Sequence, residues 1–168
     1  TTIIPVLFTA IQSGAFNDPA TWDVGIAPFG NCTIIIPTNI TVIFIGNDVD
    51  VNIKLLKIAG TIVLISNGSQ GLTFNNAINI IMQEGGRTVH QSSSGRMNFR
   101  VRTLITFYPG AAFSGSNSTI FHYTTLPASD SLGSSFNVGP SFAGPITSGF
   151  LPDGTVPTLL KVTFFPAQ

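Results

Sequence analysis

The sequence predicts an all-β protein with almost no helix: stacked β-coils, β-helix-like or sandwich-like in the core, with an added C-terminal β segment. Two observations carry that expectation. Between Ile34 and Phe113 one phrase recurs four times, a short β-rich apolar run, a turn and a second apolar run. The turns Pro37-Thr38-Asn39, Ala59-Gly60, Glu84-Gly85-Gly86 and Pro109-Gly110 set Thr38, Gly60, Gly85 and Gly110 apart by 22, 25 and 25 residues, a period that fits stacked coils. In addition, no window of about 11 residues carries apolar side chains at helical spacing without a Gly, a Pro or a β-branched run interrupting it.

The elements follow in order. Residues Thr1 to Ala10 (TTIIPVLFTA) read as an apolar strand. Pro5 inside it offers no N–H to a ladder, which places the strand at a sheet edge or adds it to another sheet from outside. Gln12 to Gly30 is loop-like, with turn signals at Asn17-Asp18-Pro19 and Pro28-Phe29-Gly30 around the single Trp22. The repeats occupy roughly Cys32 to Phe113. Their runs, such as Asn52 to Lys57 and Thr61 to Ile65, alternate only in part, as strands covered on both faces do. Gln91 to Gly95 (QSSSG) reads as a flexible excursion, Thr119 to Leu126 as a strand, Pro127 to Pro157 as a Gly/Pro/Ser-rich stretch, and Leu159 to Phe165 as a last strand. The implied organisation is 1–12 as an N-terminal extended strand, 13–115 as the coil domain and 116–168 as a C-terminal β segment packed on it.

Composition narrows the function classes. The 168 residues suffice for one domain with a real core. Charged side chains make up 8%, against roughly 25% in an average soluble domain. Seven basic and seven acidic residues cancel, so no field of one sign draws in nucleic acid or an anionic membrane. The longest apolar run is far short of the roughly 20 residues needed to span a bilayer as a helix. Cys32 stands alone, which leaves no disulfide framework and no CxxC metal or redox site. A start at Thr1-Thr2 without Met reads as a processed chain or a fragment, the former fitting secretion. Sequons at Asn31, Asn39, Asn67 and Asn117 fall in or beside turns and permit glycosylation. Together these features favour an extracellular, cell-surface setting.

Trp22, Gly25, Pro28 and Gly30, then Ile34-Ile35-Ile36, Leu56-x-Ile58-x-Gly60-x-Ile62, and Ile78-x-Ile80 leading to Gly85-Gly86 form an ordered series over about residues 13–90. That series resembles the G8 domain, an extracellular all-β module. It departs after Gly86, where Arg87-Thr88-Val89-His90 stands in place of a further Leu and Gly. The resemblance implies an extracellular site and contact with glycans such as hyaluronan, and it transfers no catalytic residue.

The chemistry on offer is thin. Glycoside hydrolysis needs two facing carboxyl groups, and Glu84, the sole Glu, sits in a turn. Asp48 and Asp50, in Gly46-Asn47-Asp48-Val49-Asp50-Val51-Asn52, have oxygens suited to Ca²⁺ but lack the EF-hand spacing and closing Glu; turn roles fit them better. His90 and His122 have no ligand partners at metal-site spacing. Arg87, Arg96, Arg100 and Arg102 hold four of the seven positive charges and read as the polar face of two strands more readily than as a polyanion site. Trp22, Tyr108 and Tyr123 are the aromatics able to stack on sugar rings. Trp22, between turn signals, also suits a plug for the open end of a coil stack.

What remains is association. A mean hydropathy of +0.42, fourteen Phe and scarce charge leave little to keep copies apart. The expectation is a non-enzymatic extracellular structural protein, a self-assembling homopolymer subunit of a surface fibre or pilus-like filament. Its assembly strand would be Ile3, Ile4, Val6, Leu7 and Phe8, hinged at Gln12-Ser13-Gly14 and donated to a neighbour. The alternative is a carbohydrate-binding, adhesive module with Trp22 as glycan contact. No catalytic residue, metal or cofactor is assigned.

Overall fold

A computed structural model describes residues 7–45, 49–51, 53–65, 72–74, 78–90, 96–99, 103–115, 119–123, 135–138 and 155–164. The protein is all-β, and its only helical piece among these residues is one short 3-10 turn, Pro19–Thr21. An opening segment holds β1 (Leu7–Thr9) and β2 (Gly14–Ala15). Four coils follow: β3 (Cys32–Ile36), β4 (Thr41–Ile45) and β5 (Val49–Val51); β6 (Ile53–Ile58), β7 (Thr61–Ile65) and β8 (Leu72–Phe74); β9 (Ile78–Met82), β10 (Arg87–His90) and β11 (Arg96–Phe99); β12 (Thr103–Phe107), β13 (Ala112–Gly115) and β14 (Thr119–Tyr123). Two strands close the chain, β15 (Ser135–Val138) and β16 (Leu160–Phe164).

Each coil contributes one strand to each of three sheets, in the orders β1-β3-β6-β9-β12-β16, β2-β4-β7-β10-β13 and β5-β8-β11-β14-β15. Every pairing within the coils is parallel. Among the described strands only β15 on β14 and β16 on β12 are antiparallel, so the chain turns back at the end of the stack and covers two of its three exposed sheet edges there. A third strand per coil was not expected. It also moves β14 into the fourth coil, so the anticipated boundary at 115/116 cuts through that coil.

The register explains the recurrent Ile and Leu. Phe8, Ile34, Leu56, Ile80 and Ile105 stand side by side across the first sheet, and each is at most 1% exposed. Ile36, Ile58, Met82 and Phe107 form a second buried row. Strand alternation sends these positions inward and their neighbours outward, and each buried side chain contributes about 1.5–3 kcal/mol. Val42 and Ile62 continue the core from the second sheet.

The turns between the first and second sheets differ in length in a way that shapes the surface. Four residues link β3 to β4, β9 to β10 and β12 to β13, but only Ala59 and Gly60 link β6 to β7. Gly60 lies flat against the turn above, where a Cβ would collide with the carbonyl oxygens of Pro37 and Ile40. The second coil is therefore recessed between the longer turns on either side.

The opening segment covers the first coil. Trp22 is 1% exposed, and its Nε1–H donates to the Phe16 carbonyl at 2.9 Å. Phe8 and Phe16 meet the indole edge-on at centroid distances of 6.4 and 5.7 Å, and Phe16 stacks on Phe44 at 4.5 Å. Asp18 caps the 3-10 turn by accepting from the Ala20 N–H. Asp23 accepts from the Thr9 N–H at 3.1 Å and returns its own N–H to the Thr9 carbonyl. Ser13 Oγ accepts from the Thr41 N–H at 2.9 Å, tying the segment to β4.

Candidate functional site

Two surfaces stand out. The first is the set of exposed large apolar residues among those described: Leu7, Ile11, Val24, Ile26, Phe29, Tyr108 and Leu159. Five belong to the segment 7–30 that precedes the first coil, and Leu159 immediately precedes β16. These two regions flank the first sheet, whose terminal strands are β1 and β16. Scattered exposed apolar residues are ordinary; here five lie in the segment around β1 and one, Leu159, beside β16, while Tyr108 lies apart from both.

The second is an open groove of about 680 Å³ on the outer face of the first sheet, lined by Thr38, Lys57, Ala59, Ile81, Gln83, Glu84, Tyr108 and Pro109. Ala59, Gln83 and Tyr108 each follow the last residue of β6, β9 and β12, so they hold equivalent positions on three successive coils. The recessed Ala59-Gly60 turn makes the depression. Tyr108 is 45% exposed, yet its backbone is fixed: its N–H donates to the Met82 carbonyl and its carbonyl accepts from the Ala111 N–H. Val156 clamps the same turn, accepting from the Gly110 N–H and donating to the Ala111 carbonyl.

The assembly strand is corrected by this geometry. Leu7 and Phe8 belong to β1, which pairs in parallel with the chain's own β3, and Phe8 is fully buried; withdrawing it to serve a neighbour would open the end of the core. Ile3, Ile4 and Val6 lie outside the described residues. Trp22 as glycan contact is corrected too, because its ring is enclosed by Phe8 and Phe16 and offers no face to a sugar.

The remaining sequence candidates are dispersed. Asn31 and Asn39 are exposed, with Asn39 in the left-handed region at φ 68°, which Asn tolerates better than most residues. Asn67, Asn117, Asp48, Arg100, Arg102 and the QSSSG stretch lie outside the described residues. Arg87 is exposed at the start of β10, and Arg96 begins β11. Asp50, His90, His122 and Tyr123 fall on β5, β10, β14 and β14. Among the described residues no group of three His, Cys, Asp or Glu is placed to hold a metal, and no helix is long and apolar enough to cross a membrane. Cys32 is a buried free thiol, and that burial pushes its pKa up. Sequence reading identified Tyr108 and Glu84 singly. It missed the groove they share, which depends on one turn being two residues shorter than its neighbours.

No family model matches the chain, and neither the curated proteins nor the solved structures yield a match.

Proposed function

We propose that this chain is a non-enzymatic extracellular structural protein that assembles end to end with copies of itself into a surface fibre. The observation that supports it is the placement of exposed apolar side chains beside β1 and β16, the opposite terminal strands of one sheet. The β16 end of one copy set against the β1 end of the next would be a heterologous contact, which propagates when its rotation does not close. The joint is then the apolar surface of the two end segments, with β1 kept in its own fold and its outer edge held by Asp23. The scarcity of charge points the same way, since little like-charge repulsion opposes contact. The extracellular setting rests on composition and on the G8-like series of residues.

The test is sedimentation velocity over a range of concentrations for the parent and for Ile11→Lys/Ile26→Lys, both exposed positions. The parent should shift to larger species with concentration while the double variant stays monomeric with an unchanged melting transition. Identical sedimentation of the two would remove the end-face joint.

A further inference from the structure

We propose that the groove on the first sheet binds an uncharged polysaccharide chain. Its polar lining is mixed: the Thr38 and Tyr108 hydroxyls, the Gln83 amide, the Glu84 carboxylate and the Lys57 ammonium all border it. These groups both donate and accept hydrogen bonds, as a ligand dense in hydroxyl groups requires. One cation and one anion cancel, so a polyanion would meet Glu84 and a polycation Lys57, and neither is favoured.

The apolar part of the lining fits the same ligand. Tyr108 offers a half-exposed ring on a backbone held by two hydrogen bonds, and a rigid aromatic presents contact area at low entropic cost. Ala59 and Ile81 supply apolar lining in the same groove. The groove runs from Thr38 on the first coil to Pro109 on the fourth, three coil rises of about 4.8 Å each. It is open along that length, which suits a segment of a polymer better than an enclosed small molecule. Nothing in this site draws on the end surfaces, so it stands or falls independently of fibre formation.

The experiment is affinity electrophoresis in native gels containing soluble mixed-linkage β-glucan, galactomannan or the polyanion hyaluronan. It is run on the parent and on the Ile11→Lys/Ile26→Lys background, so that retardation is not assembly. At least one neutral polymer should retard the protein. Tyr108→Ala should raise the apparent Kd by about tenfold or more, equivalent to about 1.4 kcal/mol, while Tyr108→Phe keeps the ring and most of the binding. Trp22 emission, reporting the distant end of the core, verifies folding; Gln83→Ala provides a second weakened variant if Tyr108→Ala does not fold. The proposal is overturned if no neutral polymer retards the chain, if hyaluronan alone does, or if the folded Tyr108→Ala or Gln83→Ala variant binds as the parent does.

Discussion

Trp22 and Gly60 show how single residues set this architecture. The indole is a large apolar body whose one polar atom must find a partner once buried, and the Phe16 carbonyl provides it. Trp22→Phe should therefore lower unfolding stability by about 1–3 kcal/mol in urea titration, through a lost hydrogen bond and a small void. Gly60→Ala should cost about 1–3 kcal/mol, because its Cβ meets backbone that cannot swing away. Cys32 adds a pH signature. Its thiol pKa is raised in the folded state by burial, so the folded chain holds that proton more tightly than the unfolded chain does. The contribution is complete below the unfolded thiol pKa of about 8.5 and is lost as pH rises through the folded value. Stability of the parent should fall above that pH, and Cys32→Ala should lack this part of the fall. At this scale the sequence was informative about Gly60, which its turn neighbours mark. It left Trp22 with two readings, because whether a ring faces core or solvent depends on Phe8 and Phe16, residues 14 and 6 positions away.

The strands β3, β4, β6, β7, β9 and β12 were legible because each is a run of five or six mostly apolar residues beside a turn, whereas β2 lies in the segment expected to be a loop. β16 was also legible, expected at Leu159 to Phe165 and found at Leu160–Phe164. The third strands were not. β5, β8 and β11 read Val-Asp-Val, Leu-Thr-Phe and Arg-Met-Asn-Phe, short alternations set among Asn, Gly and Ser that resemble loop. Their pairing comes from the coil above and below, a long-range effect that local propensity does not encode. β14 was expected as a strand but assigned to the wrong unit, since no further turn phrase follows it. β1 was expected at an edge or added to another sheet from outside; Leu7–Thr9 is the terminal strand of its own first sheet, paired with β3. Phe8 anchors that strand; Phe8→Ala should cost about 3–5 kcal/mol, measured by denaturant unfolding. A loss below about 1 kcal/mol would mean that the strand is not part of the core and would reopen donation.

Over the whole molecule the stack has two unlike ends. One is covered by the aromatic-rich opening segment, the other by the antiparallel strands β15 and β16. Coil stacks need such covers because each coil buries its face only against neighbours. Here the opening segment carries five exposed apolar side chains and Leu159 lies beside β16, and charged side chains are few. Association driven this way should strengthen with sulfate, which favours apolar burial, and change little between about 0.05 and 0.5 M sodium chloride, where only screening of charges differs. Turbidity or light scattering in the two salts checks this. The most direct test of the structural reading is negative-stain electron microscopy of the purified chain at several concentrations. Fibres one molecule wide, with an axial repeat matching the length of the stack and absent in Ile11→Lys/Ile26→Lys, are the expected result. Monodisperse particles of single-chain size at every concentration would contradict it.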